Sequence, residues 1–228
     1  MSVKPRILVF ASGSVQGGGS GFQELVEFSR TDPPVLDADI VGVVSNYQAG
    51  GVRKHADQFG IDFTTMSYGF TAERYQWLVQ HFRADYVMLS GWLKPVRGLD
   101  PKRTVSIHPG SLPKFGGQGM YGHHVHEAVL AAYRRGEVFQ SAVTMHFVTE
   151  KYDQGPVFFE LPVLIRPDDT ADTLAKRVNE KERAWQAFIL NQVVQGNIQL
   201  RNGWICYSGG LDALRPFQWR QSKWPFPM

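Results

Sequence analysis

Apolar positions along this chain fall into short blocks separated by polar or glycine-rich stretches, and the period inside the blocks changes in a regular order. Arg6-Ile7-Leu8-Val9-Phe10 is an apolar run of strand length, followed by a glycine-rich turn from Gly13 to Gly21. Phe22-Gln23-Glu24-Leu25-Val26-Glu27-Phe28 then has its apolar residues spaced as one helix face. Ser20 with Gln23 three positions on fits a capping box, which predicts a helix start directly after the glycines. Ile40-Val41-Gly42-Val43-Val44 with a helix near Val52 to Phe59 forms a second unit. A helix near Ala72 to Phe82 with Tyr86-Val87-Met88-Leu89 forms a third. Strand and helix in alternation predict an α/β fold, a mostly parallel twisted sheet with helices on both faces.

After Thr104-Val105-Ser106-Ile107, a β-branched block of buried-strand character, the order changes. A helix from about His124 to Arg135 precedes Ala142–Val148 and Val157–Val163, two strands that bracket a turn at Asp153 and are expected to pair with each other. Asp169 and Thr170 offer N-caps for a long helix carrying Leu174, Val178, Trp185, Phe188, Ile189 and Val193, ended by Gly196. Arg201-Asn202-Gly203 predicts a hairpin turn. These blocks give one domain over 1–202, in two halves that meet near residue 100. An aromatic tail over 203–228 holds Trp204, Trp219 and Trp224.

With 228 residues, 43% of them hydrophobic, the chain is long enough for a well-buried core. The net charge of +3 and pI near 9.0 come from scattered Lys and Arg rather than from a run, which argues against a nucleic-acid partner and favours anionic small molecules. The single Cys206 excludes an internal disulfide, and no apolar leader or membrane-length span is evident, so a cytoplasmic protein without a membrane partner is expected.

Three stretches bear on chemistry. Gly17-Gly18-Gly19-Ser20-Gly21 between a strand and a helix suits an anion, because free backbone amides meet the positive end of the helix dipole there. It lacks the spacing of a dinucleotide fingerprint or a P-loop, and a plain strand-to-helix connection would read the same way. Gly122-His123-His124-Val125-His126 has a spacing that metal sites sometimes use, but partners for it are short, and a polar helix start explains it equally. Ser106 and His108 lie two apart at the carboxyl end of a strand and so share a face, where open α/β sheets place their chemistry. A carboxylate such as Asp153 beside that imidazole is expected to orient it and raise its pKa.

With its flanks, that last pair carries a resemblance. Ile107-His108-Pro109 with Leu112-Pro113-Lys114, the stretch Gly116 to Val129, and His146-Phe147-Val148-Thr149 leading to Asp153-Gln154-Gly155-Pro156 resemble, in order, the folate-dependent formyltransferases. The resemblance implies transfer of a formyl group from formyltetrahydrofolate, as co-substrate and without a metal, to the amine of glycinamide ribonucleotide, by a monomer or homodimer. It implies an N-terminal nucleotide-binding half to about residue 100 and a C-terminal folate and catalytic half after it, with a protonated His108 as oxyanion holder and Asp153 as proton acceptor. It further implies Gly19, Ser20 and Gly21 as the phosphate turn and Glu182 at the glycinamide end, with Leu93, Lys94, Pro95 and Val96 facing the Val148 to Asp153 loop across the folate cleft, where Val148 and Thr149 would bind the folate. The family carries an asparagine where Ser106 stands, and a shorter turn than Gly13 to Gly18. A relative acting on a nucleotide-linked amino sugar, or a non-catalytic folate- or nucleotide-binding module, would keep many of the same residues. A tRNA-formylating relative would add a sizeable C-terminal β domain, for which the residues after Gly203 are too few.

Overall fold

A computed structural model describes residues 3–208. The expectations for Trp219, Trp224 and the tail beyond Ser208 fall outside these residues.

The three units form a doubly wound sheet. β1 (Arg6–Phe10), α1 (Ser20–Ser29), β2 (Asp39–Ser45), α2 (Gly51–Phe59), β3 (Phe63–Thr65), α3 (Ala72–His81), β4 (Tyr86–Ser90) and β5 (Thr104–His108) give the parallel order β3-β2-β1-β4-β5. α4 (His123–Arg134) then leads into β6 (Gln140–Phe147) and β7 (Val157–Leu164), which extend the sheet to seven strands as an antiparallel pair. α5 (Ala171–Val194) crosses back and is followed by a separate hairpin, β8 (Ile198–Arg201) with β9 (Trp204–Tyr207). Asn202 and Gly203, both at positive φ, make its turn.

Alternation along the strands builds two cores. Ile7, Val9 and Ala11 of the first strand and its extension join Phe22, Leu25, Val52, Val129, Ile189 and Leu190 under α1, α2, α4 and α5. Leu8 and Phe10 join Tyr75, Leu78 and Trp92 under α3. Helices therefore cover both faces, unequally. Gly42 is obligatory on β2 because a Cβ there would lie 2.3 Å from the Phe82 ring.

Two local readings of helix starts come out differently. α5 is capped as expected by Thr170, whose hydroxyl accepts from the Thr173 amide while Thr173 returns a bond to the Thr170 amide. The Ser20/Gln23 capping box does not form. Gly19, in the left-handed region at φ 86°, is the N-cap, and Ser20 is already helical. Gln23 instead donates to Glu27 one turn on. A glycine free to take positive φ moves the start of the helix one residue earlier than the serine suggested.

Candidate active site

The topology reverses between β1 and β4, the place where open α/β sheets leave a crevice outside the carboxyl ends of their strands. The crevice is braced there: the Ser12 amide donates to the Gly91 carbonyl at 3.1 Å, the Leu93 amide to the Ser12 hydroxyl at 3.0 Å, and the Ser45 hydroxyl to the Ser12 carbonyl at 3.0 Å.

Next to this crevice β5 and β6 place the titratable groups. Ser106 and His108 lie on one face of β5, and their ladder partners on β6 are His146 and Thr144. The Thr144 hydroxyl donates to the Gly110 carbonyl at 2.7 Å and so fixes the turn after His108. The buried His108 ring contacts the Phe115 carbonyl through Nε2 at 2.8 Å. A carbonyl only accepts, so Nε2 carries a hydrogen and Nδ1 is left facing Asp153 Oδ2 at 3.7 Å.

Asp153 reaches this position at a backbone cost. Its φ is +53°, in the left-handed region, and its carboxylate accepts the Gly117 amide at 3.0 Å. Gly116 makes room for it, since a Cβ there would sit 2.8 Å from the Asp153 Cβ. On the far side of the carboxylate, His146 Nε2 is 3.5 Å from Oδ1.

Burial is the largest influence on His108 and lowers its pKa. The Asp153 charge and the Phe115 carbonyl oppose this, and the His146 charge adds to it. The expected rise of the imidazole pKa is therefore overturned: desolvation of the cation outweighs the carboxylate. For Asp153, burial pushes the carboxyl up, but His146, His108 and the Gly117 amide together hold it below the ordinary range.

A cleft opens beside these groups, with Ser106, His146 and Asp153 in its lining. One wall is Leu89, Trp92, Lys94, Pro95 and Val96, and the other is Val148, Thr149, Glu150, Lys151 and Tyr152. The first wall is fastened from behind, Trp92 Nε1 donating to the Tyr75 hydroxyl and that hydroxyl to the Pro95 carbonyl, at 2.9 and 2.8 Å. Of the anticipated wall residues, Lys94, Pro95, Val96, Val148 and Thr149 line the cleft. Leu93 does not; it is exposed and engages Ser12 through its amide. His108 is also absent from the lining, lying beneath the segment that contributes Phe115 and Gly117.

The glycine turn lies at the carboxyl end of β1. Ser14 closes it, its amide donating to the Gly17 carbonyl at 2.8 Å and its hydroxyl accepting from the Gly17 amide at 3.0 Å. The start of α2 packs on the same turn, so closely that a Cβ on Gly51 would lie 2.0 Å from the Gly18 carbonyl oxygen. The N-terminus of α1 has no side-chain cap. Gln186 of α5 ties Gly21 to the sheet, donating to its carbonyl at 2.7 Å while accepting from the Ser90 hydroxyl at 3.1 Å. Glu182 lies one turn before Gln186, on the same side of α5, and Arg183 pairs with Glu24 of α1 at 2.5 Å. Burial pushes the Glu182 carboxyl up to about 7, against a hydrogen bond from Asn179.

The histidine cluster on α4 divides. His123 faces Asp172, His124 faces Glu127, and His126 is buried. Among the described residues no group of three or more His, Cys, Asp or Glu is arranged to hold a metal ion, and no helix is long and apolar enough to cross a membrane.

Residues 5–190 match the family profile described as formyl transferase. The chain belongs to this family. A chloroplastic phosphoribosylglycinamide formyltransferase of Arabidopsis thaliana is 34% identical over 198 residues, 82% of this chain and 66% of the relative. The same enzyme name is carried by a Bacillus subtilis relative, 27% identical over 199 residues, 83% of this chain and 94% of that one. Against the plant relatives this formyl transferase spans slightly under two thirds of their length. The crystal structure of glycinamide ribonucleotide transformylase 1 from Symbiobacterium toebii shares the fold, with a TM-score of 0.76 at 24% identity, over 90% of this chain and 95% of that one.

Sequence reasoning missed Leu89, Trp92 and a site role for His146, while Glu150, Lys151 and Tyr152 fall in the Val148 to Asp153 loop that the resemblance placed on the cleft. The available signal was register: once β5 and β6 pair antiparallel with Thr144 opposite His108, the residue opposite Ser106 belongs to the site.

Proposed function

We propose that this formyl transferase moves the formyl group of formyltetrahydrofolate onto the amine of glycinamide ribonucleotide. The observation that carries the reading is the Asp153 carboxylate, set in the lining of the cleft at β4, β5 and β6 within ion-pair reach of His108. The names of the relatives support the choice of donor and acceptor.

In this reading the folate ring system enters between the Trp92–Val96 and Val148–Tyr152 walls, and the ribonucleotide phosphate meets the uncapped start of α1 at Gly19, Ser20 and Gly21. Glu182 receives the glycinamide end. The acceptor nitrogen attacks the formyl carbon, a new C–N bond forms, and negative charge gathers on the formyl oxygen. Asp153, directly or through water, takes the proton lost by the attacking nitrogen, and the folate nitrogen leaves with a proton as its C–N bond breaks. For His108 to hold the oxyanion, its Nε2–H exchanges the Phe115 carbonyl for the substrate oxygen. The segment over His108 therefore shifts when substrates bind.

The test is incubation with formyltetrahydrofolate and glycinamide ribonucleotide, following the formylated ribonucleotide by mass spectrometry. Product formation that is lost in Asp153→Asn supports the reading. In Glu182→Gln the KM for the ribonucleotide should rise while that for the folate stays in place. No formylated product at high enzyme concentration, or turnover on an amino-sugar nucleotide instead, overturns it.

A further inference from the structure

One buried carboxamide ties the glycine turn to the sheet. Gln186 of α5 is 1% exposed, and both of its polar atoms are matched. Nε2 donates to the Gly21 carbonyl at 2.7 Å, and Oε1 accepts from the Ser90 hydroxyl at 3.1 Å. The sheet end of this bridge is rigid, because Ser90 closes β4 and the next residue, Gly91, receives the Ser12 amide at 3.1 Å. The other end is not held by a cap of its own. α1 starts after Gly19 without a side-chain hydrogen bond, and Gly21 is its second residue.

The residue types fit the bridge better than they fit packing. An apolar side chain would fill position 186, as Ile189 and Leu190 do on the following turn, whereas a buried carboxamide costs desolvation that only matched partners offset. Gly21 is equally specific. Its backbone is helical, where alanine is preferred to glycine, yet a Cβ there would lie 2.3 Å from Ser90 Oγ and 3.0 Å from Gln186 Nε2 and would break the bridge open.

We propose that Gln186 is a positioning residue of the acceptor site: by pinning the first turn of α1 to the end of β4, it sets where the Gly19 to Gly21 amides stand relative to Glu182, one turn away on its own helix. This rests on the functional reading above for the identity of the acceptor. A ribonucleotide held by its phosphate at one end and its amine at the other has a fixed span, so a displaced turn weakens its binding. The folate wall has a separate brace, through Trp92, Tyr75 and Pro95, and is left in place when the bridge is lost.

The test uses Gln186→Met, which keeps the size of the side chain and removes both hydrogen bonds, with Ser90→Ala as a second variant. In Gln186→Met the Kd for inorganic phosphate and the KM for glycinamide ribonucleotide should each rise by about tenfold, with kcat and the KM for formyltetrahydrofolate within about twofold. Ser90→Ala frees one end of the carboxamide and should move the same two constants in the same direction by about threefold. The double variant should do no worse than Gln186→Met, because both substitutions break one bridge. Amide NMR of the ligand-free protein should show the Gly19, Ser20 and Gly21 signals displaced in Gln186→Met.

A purely structural Gln186 would lower the melting temperature and leave the ratio of the two KM values as it was. That result, or losses that add in the double variant, overturns the proposal. If Gln186→Met fails to fold, Ser90→Ala decides alone, and an unchanged phosphate Kd there overturns it. If the native chain binds phosphate at these amides but forms no formylated ribonucleotide, the functional reading fails while the phosphate titrations still decide Gln186. A native chain that binds no phosphate at the turn overturns the positioning role as well.

Discussion

Ser106 and His146 stand directly opposite each other in the antiparallel ladder of β5 and β6, and both line the cleft that Asp153 closes. The family resemblance puts an asparagine carboxamide at position 106, where this chain has a hydroxyl of shorter reach. Ser106→Asn should therefore add a donor toward the developing oxyanion and raise kcat by roughly ten- to a thousandfold with little change in KM, because such a donor acts mainly in the transition state. Steady-state kinetics on both substrates checks this. A flat kcat in a folded variant would mean that another group already fills that role.

Gly116 is the contact through which the segment over His108 meets Asp153. Its virtual Cβ would lie 2.3 Å from Leu112 Cδ2 and 2.8 Å from Asp153 Cβ. Gly116→Ala should push the segment off the carboxylate, lengthen the Gly117 amide bond to it, and destabilise the fold by about 1–3 kcal/mol through overpacking. The expected signature is a loss of kcat together with a rise in the Asp153 pKa, since one of the donors that hold the carboxylate low is withdrawn. Carbonyl-region NMR of Asp153 reads that rise directly, and an unchanged value would show that the glycine matters only for packing.

Much of the scaffold was legible because it rests on local pattern. The apolar blocks at Arg6–Phe10 and Ile40–Val44 read as buried strands, the paired blocks around Asp153 read as a hairpin-like unit, and Thr170 announced the start of α5. What escaped depended on tertiary placement. β3 is only Phe63–Thr65, too short for a period to show. The helix start at Ser20 was misread because the conformation of Gly19, not the serine side chain, decides it. Leu93 was grouped with its neighbours although the turn after Gly91 leaves it outside the cleft. The sign of the His108 shift needed the depth of burial, and His146 needed the register; neither is written in the order of residues.

His126 should make the fold acid-sensitive. It is buried, its Nδ1 has no hydrogen-bond partner, and burial, helped by the charges of His123 and His108, pushes its pKa down to about 4. A base whose folded pKa lies below its unfolded value binds fewer protons folded than unfolded. Its contribution is thus complete above the unfolded pKa of about 6.5 and is lost as pH falls toward the folded one. Between pH 8 and pH 5 the loss should be about 2 kcal/mol. Urea melts of the native chain and His126→Gln at both pH values test it through their difference, which cancels the opposite slope expected from Glu182, whose raised pKa removes stability as pH climbs from its ordinary range through about 7. Equal slopes in the two proteins would show that His126 does not titrate in this window.

Gly51 should control the phosphate end of the acceptor site without touching the folate end. It is the first residue of α2, and its virtual Cβ would lie 2.0 Å from the Gly18 carbonyl oxygen and 2.7 Å from the Gly17 carbonyl carbon. These are backbone atoms, so no rotamer change can relieve the clash, and either the turn or the helix must move. The turn is the softer side, held by Ser14 at one end and by the start of α1 at the other. Displacing it re-aims the Gly19 to Gly21 amides on which the proposed phosphate contact depends. In Gly51→Ala the KM for glycinamide ribonucleotide should rise by about tenfold or more, the scale of one lost charged hydrogen bond, while the KM for formyltetrahydrofolate stays within about twofold. Inorganic phosphate should also protect the native protein against thermal unfolding more than it protects the variant. If both KM values rise together, the substitution has disturbed the sheet as a whole; if neither moves, the phosphate lies elsewhere and the glycine turn is only a connection between β1 and α1.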